Sequence, residues 1–213
     1  MLVEEIMIQR VYTVAPTDTV RMGLVLIQQY EIRHIPVVED GHLVGIVSDR
    51  DLRDVCPSTL GCEEKSEIWN TPIAKIMKRE VITAHPLDFI DEAAYTMYSA
   101  RISCLPIVSN GELVGIITAT DLLSTLVELM GVHNPTTRVE IESPNPVENL
   151  QMVTKILAQY TCHIDSLMVM PDTPTKKQRI ILRITTMNPG DILLAFKHSG
   201  LRILWPHDLG VDL

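Results

Sequence analysis

An internal repeat without gaps is the feature that most constrains how this chain can fold. At an offset of 70 residues, the segment 35–37 (Ile-Pro-Val) aligns with 105–107 (Leu-Pro-Ile), and the segment 43–48 aligns with 113–118. Agreement at one fixed offset over such a length predicts two copies of one structural unit, from residue 3 to roughly residue 130. Further matched pairs are Met7 and Met77, Pro16 and Pro86, and Asp51-Leu52 and Asp121-Leu122.

Each copy has the pattern of strand, helix, strand, strand, helix. In the first copy, Val20, Leu24 and Ile27 lie at i, i+4 and i+7, which indicates an amphipathic helix. Asp18 precedes this helix at the position of an N-cap, and Asp40-Gly41 between two apolar runs predicts a hairpin. A unit of about 55 residues buries little surface alone, so we expect the two copies to pack about a pseudo-twofold axis. The second copy repeats these features at Ile90, Ala94, Met97, Asp88 and Asn110-Gly111.

Polar residues recur where the second hairpin strand leads into a helix. Ser48 and Asp51 of the first copy correspond to Thr118 and Asp121 of the second. Free backbone N–H groups at such a turn attract anions, and a hydroxyl with a nearby carboxylate suits the hydroxyls of a ribose. The same spacing is also a capping box, which needs no ligand. Because both copies keep the motif behind a Gly-Ile pair, the sequence favours a ligand site.

This pattern resembles a tandem pair of CBS domains, a module that binds adenosine-type ligands, over roughly residues 1–130. The resemblance implies that Ser48, Asp51, Thr118 and Asp121 contact ribose and phosphate. It implies phosphate contacts at the position three before the strand proline, which is Arg33 in one copy and Ser103 in the other. The further pocket residues that it implies are Val11, Thr13, His34, Ile35 and Pro36, with Val81, Thr83, Cys104, Leu105 and Pro106 in the second copy.

Arginines distinguish the two copies. Arg33, Arg50 and Arg53 have no basic counterpart at the offset of 70. Guanidinium groups are good partners for phosphate, so we expect the first site to prefer a phosphorylated adenosine. The second site is then neutral and weaker, or takes a less charged ligand. Two alternatives are that the arginines are solvated surface groups and that phosphates reach across a shared cleft.

The segment from Cys56 to Pro72 has no periodicity, so it is predicted to be a surface loop with a helical turn near Trp69. Cys56 and Cys62 have no Cys or His partners at a spacing typical of zinc sites, and no metal is expected. A helix through Leu129-Met130 is predicted to stop at Gly131.

Residues 137–213 are predicted to form a third unit with the order βαββαβ, the ferredoxin-like arrangement. This unit resembles an ACT domain. Glu148 stands where that family usually carries a glycine, so we favour a packing or dimerisation role, with Asn145 as the first residue to test for a ligand. The expected domains are 1–64, 65–131 and 137–213. The expected strands lie around Val139 and Ile141, and at 164–170, 180–184 and 202–205. The expected helices span 147 to about 160 and 189–198. The first of these helices has an apolar face formed by Val147, Leu150, Val153 and Leu157.

The whole chain, with the run Val-Gly-Ile-Val-Ser-Asp-Arg-Asp-Leu-Arg-Asp and a late Leu-Trp-Pro, resembles the bacterial acetoin utilization protein family. The resemblance implies a role in acetoin or related carbon catabolism.

Composition excludes several classes of function. A net charge of −9 argues against nucleic-acid binding, and no apolar run reaches the ~18 residues of a membrane span. The start of the chain has no apolar signal region, and the four cysteines of the whole chain form no CxxC motif. We therefore expect reduced thiols and a cytoplasmic protein. Walker, GxGxxG, GxSxG and HExxH motifs are absent, so no enzyme is expected.

The sequence therefore predicts a non-enzymatic regulatory protein that binds AMP, ADP or ATP in the cleft of the pair. We expect a homodimer that signals to an unknown protein partner through changes in assembly or contacts. The alternative is an interaction scaffold whose pockets are empty or degenerate.

Overall fold

The computed structural model describes residues 1–55, 66–172 and 177–207. The chain divides into two compact units, Met1–Leu123 and Ser124–Leu213. Most of the predicted loop, with Cys56 and Cys62, lies outside the described residues. Within the described residues, no cluster of three or more His, Cys, Asp or Glu side chains is arranged to hold a metal ion. None of the described helices has the length and apolar character needed to cross a membrane.

The two sequence copies adopt the same secondary structure. In each, a 3-10 turn is followed by a long helix, a β-hairpin and a second helix, which confirms the repeat. The first strand predicted for each copy is reduced to an isolated parallel bridge, Val14 to Val37 and Ala84 to Ile107. The first copy contains a 3-10 turn at Val3–Glu5, α1 (Val20–Tyr30), β1 (His34–Glu39), β2 (His42–Ser48) and α2 (Asp49–Val55). The second contains α3 (Ser66–Trp69), a 3-10 turn at Ile73–Lys75, α4 (Ile90–Ala100), β3 (Cys104–Ser109), β4 (Glu112–Thr118) and α5 (Ala119–Leu129).

The hairpin turns are those predicted. Asp40 and Gly41 have φ of 50° and 83°, and Asn110 and Gly111 have φ of 52° and 86°. Two consecutive residues with positive φ form the type I′ turn, whose twist matches that of the flanking strands. Asx-Gly pairs adopt this geometry with little strain, which explains why the turn is placed correctly by sequence alone.

The predicted helix caps are wrong by one residue. Thr19, not Asp18, is the N-cap of α1, and its side chain accepts a hydrogen bond from Met22 N at 3.3 Å. Asp18 Oδ2 instead accepts a hydrogen bond from Ala15 N at 2.7 Å, and Asp88 Oδ2 does the same for His85 N. Each aspartate therefore closes the turn that leads into the helix rather than capping the helix.

The two copies exchange their opening segments. Val3, at the start of copy one, is fully buried in the core of copy two, and Ile73 and Met77 of copy two lie in the core of copy one. Ile46 and Lys78 exchange two backbone hydrogen bonds of 2.9 Å. A boundary drawn between the copies in sequence therefore separates residues that pack together. The equivalent bridge in the other half joins Ile8 to Ile116.

The hairpins form one antiparallel sheet in the order β1-β2-β4-β3. Its central pairing is narrow, since only His42 and Glu112 are partners between β2 and β4. His42 Nδ1 lies 2.8 Å from Gly111 O and reinforces this contact. The exchanged segments therefore add buried contacts between the copies that this narrow pairing does not provide.

The second unit has the predicted order βαββαβ. Its strands form one antiparallel sheet, β6-β7-β5-β8, and its two helices share a single apolar cluster with one face of that sheet. Val147 is 68% exposed, although the periodicity predicts it on the buried face of α6. Six residues turn a helix by 600°, which places Val147 about 120° away from the buried Val153. The elements are β5 (Thr137–Ser143), α6 (Pro146–Leu157), β6 (Cys162–Asp172), β7 (Lys177–Thr186), α7 (Pro189–His198) and β8 (Arg202–Trp205).

Candidate functional site

Two pockets related by the repeat lie between the copies in the first unit. Pocket A, of about 430 Å³, combines Ser48–Asp51 of copy one with Lys78, residues 80–82 and residues 101–104 of copy two. Pocket B, of about 550 Å³, combines 118–120 of copy two with Ile8, 10–12 and 31–34 of copy one. Each pocket is therefore composite. The exchange of segments explains this, because the Ile46–Lys78 pairing brings the chain after Lys78 beside Ser48.

The hydroxyl–carboxylate motif forms a complete capping box in both copies. Ser48 N donates to Asp51 Oδ2 at 2.8 Å, Ser48 Oγ donates to the same oxygen, and Asp51 N donates to Ser48 Oγ at 3.2 Å. Thr118 and Asp121 repeat all three contacts, at 2.8, 2.7 and 3.3 Å. The capping interpretation is confirmed, and a ligand role of these residues stays a prediction. The cap uses only the Oδ2 oxygen of the Asp51 carboxylate. The other oxygen, Oδ1, lies 3.9 Å from Lys78 Nζ in pocket A.

The pockets differ less in charge than the sequence predicts. Arg33 lines both pockets and Arg50 lines only pocket A, while Arg53 lines neither and pairs with Asp49 at 3.2 Å. The expectation of a neutral second pocket is wrong, because pocket B also contains Arg10. The sequence comparison assigned each pocket the charges of a single copy and so missed the cations that the other copy contributes. In pocket A the missed cations are Lys78 and Arg101. The acidic lining residues are Asp49, Asp51 and Glu80 in pocket A and Glu31 in pocket B.

Three residues form a junction between the pockets. Arg33, His34 and Ser103 line both of them, and His34 Nε2 lies 3.1 Å from Ser103 Oγ. The backbone holds the junction to both helix starts, since Arg33 O accepts from Asp49 N and Ser103 O accepts from Ala119 N, each at 2.9 Å. Each helix start is therefore hydrogen-bonded to a residue that lines both pockets.

Burial lowers the pKa of His34, and the positive charges of Arg33 and Lys78 act in the same direction. The carboxylates of Asp49 and Asp51 oppose this shift but do not cancel it. His34 is consequently neutral at pH 7, with one ring nitrogen available as an acceptor and one as a donor. At that pH it adds no positive charge to either pocket.

Cys104 lies at the wall of pocket A and is only 6% exposed. Burial raises the pKa of its thiol to about 12. The sulfur is therefore protonated near neutrality and serves as an apolar wall rather than as a nucleophile.

The structure divides the predicted site residues into three groups. The side chains of Ile35 and Leu105 are fully buried in the cores of their copies, because alternate residues of a strand face opposite sides. Thr13 and Thr83 are exposed but line neither pocket, and the same two pockets exclude Pro36 and Asp121. The predicted residues that line a pocket are Ser48, Arg50, Asp51, Val81, Cys104 and Pro106 in A, Val11 and Thr118 in B, and the junction residues in both.

Several lining residues are missed by the sequence interpretation. Tyr12 lines pocket B and stacks on Tyr30, with ring centroids 3.8 Å apart and an interplanar angle of 18°. Val11, the preceding residue, is among the predicted site residues, so Tyr12 could have been found in the sequence as its neighbour. Glu31 and Arg101 follow the two long helices in a left-handed backbone conformation, with φ of 52° and 55°, and line pocket B and pocket A respectively.

Comparison with known sequences finds relatives that match a little over half of the chain. The CBS domain-containing protein YhcV of Bacillus subtilis is 32% identical over 120 residues, which are 56% of this chain and 81% of that protein. Inosine-5'-monophosphate dehydrogenase of Thermoplasma acidophilum is 38% identical over 122 residues, 57% of this chain but only 23% of the enzyme. The similarity to the dehydrogenase thus concerns a minor part of that protein.

Solved structures show the same similarity. A crystal structure assigned to an acetoin utilization protein, AcuB, of Vibrio cholerae has a TM-score of 0.54 and 33% identity, over 63% of this chain and 98% of that one. The CBS domain pair of protein MJ0100, in complex with 5'-methylthioadenosine and S-adenosyl-L-methionine, has a TM-score of 0.52 and 27% identity, over 59% and 95%. CBSX2 in complex with AMP has a TM-score of 0.51 and 25% identity, over 59% and 96%.

The family model named CBS domain matches the chain twice, at residues 3–58 and 73–128. These two matches coincide with the two copies of the repeat and with the two halves that enclose pockets A and B. Together they cover more than half of the sequence, and this chain therefore belongs to the CBS domain family.

Proposed function

We propose that the first unit is a non-enzymatic regulatory module that binds adenine nucleotides of the AMP/ATP class in pockets A and B. The observation that carries the proposal is the composite pocket, in which the Ser48–Asp51 turn in pocket A, or Thr118 in pocket B, belongs to one copy and faces cationic residues of the other. Volumes of about 430 and 550 Å³ lie within the range of small-molecule sites, which is roughly 300–1,000 Å³.

Similar structures support the ligand class. Two of the similar CBS structures are complexes with adenosine-containing ligands, AMP in one and 5'-methylthioadenosine with S-adenosyl-L-methionine in the other. The ligands share a purine and a ribose and differ in charge. We propose that the ribose contacts the Ser48–Asp51 turn and that the variable, charged part lies against the cationic residues.

Pocket A is the better candidate for a polyphosphate. Arg50, Lys78 and Arg101 line it in addition to Arg33, whereas pocket B has only Arg10 besides Arg33 among the described residues. Because pocket A also has more acidic residues, its advantage is the number of groups that donate to phosphate rather than its net charge. Pocket B offers instead the ring of Tyr12, on which a base is able to stack. We therefore propose that pocket A takes a phosphorylated adenosine and that pocket B takes a less charged one.

Signalling follows if the ligand binds two arrangements of the copies with different affinities. The hairpins of the two copies pair only at His42 and Glu112, so we propose that the junction residues, which line both pockets, change position when a ligand binds. We propose a homodimer as the active assembly and acetoin or related carbon catabolism as its setting. The second unit is proposed to be an ACT-like packing or dimerisation module, in which Asn145 begins α6 without a side-chain cap bond.

One observation favours a second candidate, an interaction scaffold. Asp51 already accepts two hydrogen bonds within its cap and faces Lys78, so both oxygens of this carboxylate have protein partners without a ligand. The scaffold predicts that no nucleotide changes the stability of the protein. A thermal-shift panel of AMP, ATP, NAD and S-adenosylmethionine separates the two functions, because a ligand at 100 times its Kd adds about 2.7 kcal/mol.

The decisive experiment is titration calorimetry of Asp51→Ala with AMP and with ATP. A hydrogen bond to a charged group contributes about 1.5–3 kcal/mol, so affinity at one site should fall by about tenfold or more. Asp88→Ala is the matched control, because it removes a turn carboxylate that bonds His85 N but lines neither pocket. Unchanged affinity for both nucleotides in Asp51→Ala contradicts the assignment.

A further inference from the structure

The junction between the pockets contains one guanidinium that both pockets use. Arg33 is, among the described residues, the one Lys or Arg that lines A and B alike. Its side chain is exposed, so it is free to turn to either side. The corresponding position in copy two is Ser103, which supplies no second charge.

The remaining junction residues do not replace it. Burial keeps His34 neutral at pH 7, and its Nε2 lies 3.1 Å from Ser103 Oγ. A bidentate contact to one phosphate uses two of the five N–H donors of a guanidinium, fixes the direction of its fork and neutralises its charge, so its attraction for a phosphate in the other pocket is weaker. Pocket A then keeps Arg50, Lys78 and Arg101, whereas pocket B keeps only Arg10 among the described lining residues.

We propose that pockets A and B are negatively coupled for phosphorylated ligands, because occupation of one by a phosphate withdraws Arg33 from the other. This inference rests on the proposed nucleotide binding. It adds that uncharged ligands of the same class bind the two pockets independently, so that the charge of the first ligand sets the affinity for the second.

The coupling is measured with two variants that each block one pocket. Val81 lines only pocket A, and its counterpart Val11 lines only pocket B. Val81→Trp and Val11→Trp therefore leave one open pocket each, and calorimetry with ATP gives the two isolated dissociation constants. In the wild type, the product of the two stepwise constants divided by the product of the isolated constants is the coupling factor.

We expect a coupling factor of about 10 or more for ATP, since one charged hydrogen-bonding partner is worth about that ratio, and about 1 for adenosine. Arg33→Ser should lower the factor for ATP to about 1. Arg53→Ser removes an arginine that lines neither pocket and should leave the factor as in the wild type. If the coupling is very strong, the wild type binds one ATP in total, although each blocked variant also binds one; this result supports the proposal.

Other outcomes overturn the inference. A factor near 1 for ATP in the wild type, or a large factor that persists in Arg33→Ser, excludes a shared arginine while nucleotide binding stands. A blocked variant that folds but binds no ATP shows that ATP occupies only one pocket, which overturns the coupling. No binding of ATP or adenosine to the wild type overturns the proposed function as well. If the tryptophan variants do not fold, Ser103→Arg gives the same decision: it should tighten the second ATP step by about tenfold, and an unchanged second step contradicts the coupling.

Discussion

Met77 lies against Gly45 so closely that a Cβ added to the glycine would be 2.7 Å from Met77 Sδ. The same relationship joins Gly115 to Met7, where the distance would be 2.6 Å. In each case the methionine belongs to the opening segment of one copy and the glycine to a strand of the other. The glycine of the repeated Val-Gly-Ile motif thus makes room for the exchanged segment, and it is needed for packing rather than for a positive φ.

Gly45→Ala should destabilise the first unit by about 1–3 kcal/mol, as overpacking of a core does, because Lys78 O would also lie 3.0 Å from the new atom. Urea denaturation measures the change in the free energy of unfolding. Gly190→Ala is the matched control, since an added Cβ there would have no atom within 4 Å apart from its chain neighbours and the backbone of its own helix, and alanine there should be neutral or stabilising by up to about 1 kcal/mol. Equal effects of the two substitutions would contradict the packing argument.

His34 should make stability depend on pH. In the unfolded chain it takes up a proton below about pH 6.5, whereas burial lowers its pKa in the folded protein. The unfolded state therefore binds more protons between the folded pKa and 6.5, and the free energy of unfolding falls as the pH drops through that window and is constant above it. Denaturation at pH 7.5 and 5.5 should show a smaller pH difference in His34→Asn than in the wild type. His163→Asn, which alters an exposed histidine of β6, should behave as the wild type.

Cys104 should resist alkylation in the folded protein. Its thiol is 6% exposed and burial raises its pKa to about 12, so neither access nor a thiolate is available at pH 8. Mass spectrometry after iodoacetamide treatment should find Cys104 unmodified without denaturant and modified in guanidinium chloride. The half-buried Cys162 is the internal comparison. Equal labelling of the two thiols in the native protein would show that pocket A is more open than described.

Glu140 should stabilise the second unit at neutral pH. Partial burial raises the pKa of this carboxyl, but hydrogen bonds from Arg138 and Arg179 outweigh that effect and hold the pKa below 4.5. The ion pairs are 2.7 and 2.8 Å long, and the arginines are about one-third exposed, so solvent screening leaves a loss of about 1–2 kcal/mol in Glu140→Gln.

Because the folded pKa of Glu140 is lowered, its contribution is complete above about pH 4.5 and disappears as the pH falls through the folded value. The difference between wild type and Glu140→Gln, measured by chemical denaturation, should shrink between pH 7 and pH 3. Glu148→Gln alters an exposed glutamate of α6 and should change stability by less than about 0.5 kcal/mol. A difference that does not vary with pH would exclude the ionic origin.

Local features of the fold are predictable from sequence because they depend on neighbouring residues. Pro189 at the start of α7 and Gly200 after its end mark a helix whose bounds the sequence predicts correctly, and the Asp40-Gly41 turn follows from the φ values that those residues tolerate. Side-chain hydrogen bonds are less predictable. Thr19 and Asp18 are both good caps, and only the backbone of the turn decides that Thr19 caps the helix.

The sequence by itself determined that the chain contains two equivalent units, where their hairpins turn and which residues form the capping boxes. The tertiary structure alone decided which core receives each opening segment. Val3 and Ile73 are equivalent apolar residues in equivalent patterns, and both are fully buried, so local pattern does not distinguish the two cores. Exchange places Val3 in copy two and Ile73 in copy one. The pockets are therefore composite, and Arg33 lies between them rather than within a single site.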